Sequence, residues 1–163
     1  MNIKKLTTAS LLVAIGIASA HVISIPFGVS KVFPVQHGIN LLAGVILGPG
    51  PAVAIAFTIS LLRNILGTGS LLAFPGSMIG AFLAGLLFKK TGKSFIAMLG
   101  EVVGTGVIGG IVAYPVAKFF MGREIAAFFF VAPFILSSIA GALIGYALYK
   151  VIVKTGITNS IEG

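Results

Sequence analysis

Between residues 95 and 117 the only charged side chain is Glu101, and residues 6–25 and 125–149 carry none. A helix crosses the hydrocarbon core of a bilayer in about 20 apolar residues, so each run is long enough to span. Charged residues make up 9% of the chain, and the mean hydropathy is +1.16. A soluble domain carries roughly a quarter charged residues. The chain therefore reads as an all-α membrane protein, with its 163 residues forming a single domain.

Six spans follow from the apolar runs and their breakers, at about 6–25, 37–47, 51–66, 71–88, 95–117 and 125–149. Pro26, Gly28 and Pro34 mark a loop before the second span. Gly48-Pro49-Gly50-Pro51 separates the second from the third. The second is too short to cross about 30 Å as a straight helix. Short or Gly/Pro-interrupted spans tend to line a cavity rather than lipid.

The net charge of +8 does not point to nucleic acid, because the cations sit in small clusters between apolar runs. With Lys4 and Lys5 inside, six spans also place Lys89, Lys90, Lys93, Lys150 and Lys154 inside. Lys31, Arg63, Lys118 and Arg123 fall outside. This asymmetry predicts that both termini are cytoplasmic. The start of the chain has two readings. Lys4-Lys5, an apolar stretch and Ala18-Ser19-Ala20 resemble a cleavable signal peptide. The preferred reading is an uncleaved first span, since the rest of the chain is itself membrane-embedded.

Cys and Asp are absent, so disulfides, thiolate metal sites, a Cys nucleophile and a Ser/His/Asp set are excluded. No local spacing among His21, His37 and Glu101 supports a metal site. The expectation is a protein with no catalytic residues and no cofactor.

The few polar side chains within apolar sequence are the candidate binding residues. Gln36 and His37 share a helical side with Asn40 by the three- and four-residue spacing. Arg63 and Asn64 end the third span at the same depth as Gln36 and His37 begin the second, so the two groups are expected to face each other. An intramembrane cation is a functional candidate by default; the alternative is an arginine that reaches up to the headgroups. Phe74 and Tyr114 are candidate aromatic walls. Glu101, about two turns into the fifth span, has three open roles: ligand binding, pairing with Arg63, or a neutral acid. Gly67-Thr68-Gly69-Ser70 lacks the Lys and the spacing of a phosphate loop. It reads as a flexible connection able to close over a site.

Small residues recur four apart, as in Gly80 with Ala84 and Gly141 with Gly145. Such faces let helix backbones approach closely, and most are expected inside the bundle.

The runs Pro34-Val35-Gln36-His37-Gly38-Ile39-Asn40, Ser60-Leu61-Leu62-Arg63-Asn64, Gly67-Thr68-Gly69-Ser70 and Ala73-Phe74-Pro75-Gly76-Ser77-Met78 resemble the ThiW family. The resemblance extends over essentially the whole chain and is strongest from 36 to 85. It implies a substrate-capture (S) component of an energy-coupling factor (ECF) transporter in the cell membrane. The implied ligand is hydroxyethylthiazole, the thiazole moiety of thiamine. The implied partners are a transmembrane coupling subunit and two ATPase subunits. In this class an Ala-xxx-Ala face on the first helix docks the coupling subunit, and Ala14 and Ala18 match it. A neutral ligand has no evident need for Arg63, which leaves a loop-holding role or a negatively charged ligand open. Three other readings remain: an S component for another vitamin or precursor, a stand-alone channel or carrier, and a membrane enzyme, for which Glu101, His37 and Arg63 are the only candidate residues.

Overall fold

The computed structural model describes residues 2–22, 25–27, 30–122, 124 and 126–156. Arg123 lies outside the described residues, and so does the tail beyond 156. Six helical rods account for nearly all of the described chain. They are α1 (Ile3–Val22), α2 (Pro34–Leu47), α3 (Pro49–Ile65), α4 (Ala73–Thr91), α5 (Ser94–Phe120) and α6 (Val131–Lys154). Three of them, α1, α5 and α6, are long and apolar enough to cross a membrane.

The rod ends follow local chemistry. Asn2 caps α1, its side-chain oxygen accepting from the Lys5 N–H at 2.9 Å. Pro34 and Pro49 stand in the first turns of α2 and α3, where a missing N–H costs nothing. Gly92 closes α4 in the left-handed conformation, its N–H donating to the Phe88 carbonyl at 2.8 Å. The loop expected at 26–35 holds a short antiparallel hairpin, Ile25–Phe27 against Ser30–Val32, with Ile25 opposite Val32. The sixth helix starts at Val131 rather than near 125, after a turn over 127–130.

Helix α5 is not a uniform α-helix. It widens to π geometry over Val103–Gly109 and again over Val116–Phe120. Each π stretch changes the angle at which later side chains project, and such stretches often accompany functional sites.

Helix α2 stands at the centre and touches all five other rods. Its residues from Gly38 to Val45 are all buried. Its 14 residues rise about 21 Å. Protein rather than lipid surrounds it, so its shortness exposes no backbone to hydrocarbon. Close backbone approach holds the rods together. A Cβ on Gly141 would lie 1.9 Å from the Pro34 carbonyl oxygen, and one on Gly80 would lie 2.0 Å from Thr105 Oγ1. At Gly141 no side chain larger than hydrogen fits without displacing a helix, and at Gly80 one would drive the Thr105 hydroxyl from its place.

Polarity runs opposite to that of a soluble protein. Leu11, Phe82, Leu99, Ile111, Leu136 and Leu148 point outward, whereas Asn40, Ser60, Arg63, Ser77, Glu101 and Thr105 are buried. Apolar faces this extensive on the outside of the five rods around α2 match a hydrocarbon surround.

Candidate functional site

Gln36, Arg63, Ser77, Thr105 and Ser137, all buried, converge on a cavity of about 260 Å³ at one end of the bundle. Helices α2, α4 and α6 begin there and α3 ends there. Phe33, Gln36 and His37 come from the start of α2, Arg63 from the last turn of α3, and residues 67–70 from the connecting loop. Ala73, Gly76 and Ser77 of α4 and Thr105 of α5 form the floor side. Phe129, Phe130, Pro133, Phe134 and Ser137 complete the wall. The volume lies just below the range of about 300–1,000 Å³ typical for drug-sized ligands. It suits one small ring system.

Arg63 organises the cavity mouth. Its side chain is 2% exposed. One guanidinium nitrogen donates to the Gln36 side-chain oxygen, and the other donates to the Thr68 carbonyl at 3.1 Å. The guanidinium lies 3.7 Å from the centre of the Phe33 ring, a cation–π contact. Phe33 is itself held by its backbone N–H, which donates to Ser137 Oγ at 3.1 Å. The chain of contacts continues inward. Gln36 Nε2 donates to Ser60 Oγ at 3.0 Å, and Ser60 and Ser77 hydroxyls meet at 3.0 Å. Ser77 in turn donates to the Ala73 carbonyl at 2.6 Å. A hydrogen-bonded line thus ties α2, α3 and α4 together, and each member fixes the orientation of the next.

The loop over the cavity hangs on the end of α3. The Arg63 carbonyl accepts from the Thr68 and Gly69 N–H groups, each at 2.9 Å. The Asn64 side chain donates to the Ser60 carbonyl at 2.8 Å and to the Ser70 carbonyl at 3.1 Å. Gly67 takes φ +73°, a left-handed conformation that glycine adopts without a Cβ penalty.

A second polar group lies at the floor. His37 Nδ1 and Glu101 Oε1 are 3.1 Å apart. Thr105 Oγ1 stands 2.8 Å from the same carboxylate oxygen and 3.1 Å from the Gly76 carbonyl. Glu101 is fully buried, one residue back from the cavity surface, and reaches it through His37 and Thr105. Four buried atoms have no hydrogen-bond partner among the described residues: both amide atoms of Asn40, Glu101 Oε2 and Arg63 Nε.

The structure brings Gln36, His37 and Arg63 to the cavity surface. Asn64 braces the loop, and Asn40 is buried without lining the cavity. Glu101 pairs with His37, not with Arg63. Phe74 and Tyr114 do not line the cavity. The Phe74 ring packs on Phe57 with centroids 5.6 Å apart, and the Tyr114 hydroxyl lies 3.5 Å from Lys118 Nζ. The aromatic walls are Phe33, Phe129, Phe130 and Phe134 instead. Phe130 and Phe134 stand one helical turn apart, a spacing visible in the sequence. Nothing in the sequence marks Ser77, Thr105 and Ser137 as cavity residues, because small hydroxyls are common in apolar helices and usually bond to their own backbone.

The family model described as thiamine-precursor transporter protein (ThiW) matches residues 6–155. No curated protein and no solved structure matches the chain.

Proposed function

The chain belongs to the ThiW family and is a thiamine-precursor transporter in the membrane, and from that premise we propose that it is the substrate-capture component of an ECF transporter for hydroxyethylthiazole. The observation that carries this reading is the small aromatic-walled cavity with Gln36, His37 and Arg63 on its surface. One five-membered ring with a short polar arm suits its volume. The two linked rings of thiamine would crowd it. Phe129, Phe130 and Phe134 offer ring faces, while Gln36, His37 and Arg63 supply hydrogen bonds that orient the arm. Asn64 positions the covering loop, and Glu101 positions His37. No role in binding is assigned to Phe74 or Tyr114, which stand away from the cavity.

Six membrane crossings with both termini in the cytoplasm place the starts of α2, α4 and α6 on the outer side, so the cavity opens toward the incoming ligand. The positive clusters at Lys89, Lys90, Lys93, Lys150 and Lys154 support this orientation. Transport inward then needs a partner. Ala14 and Ala18 are exposed on α1, whereas Gly16 and Ala20 face the bundle. Ala14 also lines a shallow groove between α1 and α3 with Pro51 and Ala54. A small-residue face directed into lipid suits close docking of another transmembrane helix. We assign it to the coupling subunit, with two ATPase subunits supplying the work of transport.

Calorimetric titration of the detergent-solubilised chain tests the capture role. Saturable one-to-one binding of the thiazole, with thiamine at least about tenfold weaker, is the expected result. Equal or tighter binding of thiamine would overturn the thiazole assignment.

A further inference from the structure

Three helices begin at the cavity: α2 beside Phe33 and Gln36, α4 beside Leu72 and Ala73, and α6 beside Phe130 and Pro133. None of the three has a side-chain cap, and none carries an acidic residue in its first turn. Their first-turn donors are largely in use: the Ala73 and Phe74 N–H groups donate to the Ser70 and Leu71 carbonyls, the Val131 N–H donates to the Phe128 carbonyl, and Pro34, Pro75 and Pro133 have none. These helix starts therefore contribute the field of their dipoles rather than free donors. Only α3 ends here, and its last turn carries Arg63.

Arg63 has only neutral partners: the Gln36 side-chain oxygen, the Thr68 carbonyl and the Phe33 ring. Its Nε has no partner among the described residues. The one ion pair among the described residues joins His37 to Glu101 and leaves Arg63 out. With Glu101 paired to His37, Arg63 is a cation on the cavity wall with no counter-charge among the described residues, and the helix dipoles add to its positive potential. A buried cation without a counter-charge is costly, and an anion beside it removes that cost. Helix starts aimed into a membrane cavity favour anionic ligand groups for the same reason.

We propose that the cavity takes its ligand as an anion, the phosphate monoester of a small heteroaromatic alcohol. The ring identity rests on the thiazole reading above; the anionic character rests on the charge distribution alone. The phosphate sits beside Arg63, and the ring lies against Phe130 and Phe134. The hydroxyethyl arm of the thiazole is the point of esterification, so the phosphate adds at the end of the ligand that the polar side of the cavity receives.

The test is a calorimetric comparison of hydroxyethylthiazole with its phosphate monoester on the full chain. The ester is expected to bind at least about tenfold more tightly. Arg63→Gln should shrink that advantage to less than about threefold, and Arg63→Lys, which keeps the charge, should retain most of it. The wild-type ranking decides the matter even where the Gln variant fails to fold. Alcohol binding as tight as ester binding overturns the anion proposal and leaves the thiazole reading standing. Absence of binding by both forms, in a sample shown to be helical and monodisperse, overturns the thiazole reading and this proposal together.

Discussion

At the scale of single residues, the cavity depends on polar groups that have no water to fall back on. Glu101 is the clearest case. It accepts from Thr105 and meets His37, and it has no access to solvent. Glu101→Ala removes the shared acceptor and should destabilise the chain by about 2 kcal/mol. Glu101→Gln keeps one acceptor oxygen in place and should lose less than half of that. Thermal unfolding in detergent distinguishes the two, and an alanine variant that melts with the wild type would show that the contact contributes nothing. Arg63 was conspicuous in the sequence as a cation at the end of an apolar run. So was its level with Gln36, because helix spacing alone brings the end of one span beside the start of the next. The partner of Glu101 was not legible in the same way. Three roles stood open for it, and only the rotation of α2 and α5 about their axes directs the carboxylate to His37.

At the scale of the helices, boundaries were legible where proline and glycine punctuate the chain, as at Pro34, Pro49 and Gly92. Facing was less so. Tyr114 was expected at the cavity by its place in the fifth span. It follows the π stretch Val103–Gly109, which shifts later side chains away from the angle that 3.6 residues per turn would give. Its hydroxyl accordingly lies beside Lys118 and outside the cavity wall. Helix α1 separates two small faces by register: Gly16 and Ala20 pack inward, while Ala14 and Ala18 point out. The paired substitution Ala14→Leu and Ala18→Leu should therefore leave ligand binding unchanged and weaken co-purification with a coupling subunit. Lost ligand binding would instead mark these alanines as part of the bundle, contrary to their exposure.

At the scale of the whole molecule, the six crossings and outward-facing cavity proposed above predict which residues are reached from outside. The natural chain contains no Cys, so single cysteines report cleanly. Thr68→Cys lies on the loop over the cavity and should react with a membrane-impermeant maleimide in intact cells. Lys90→Cys, at the opposite end of α4, should react only after permeabilisation. The reverse pattern would invert the topology and remove the uptake direction. The sequence by itself determined the solvent: long uncharged runs leave hydrocarbon as the surround, and their lengths and breakers set six rods. Helix register, a local property, also put Gln36, His37 and Arg63 at one level. Only the tertiary structure decided which walls enclose the site. Phe33, Phe130 and Phe134 line one cavity across a hundred residues of chain because backbones touch at Gly80 and Gly141, and those contacts set how each rod is turned. In a bundle whose rods are apolar on every side, hydrophobicity does not choose the inward face; close packing of small residues and the pairing of buried polar groups do.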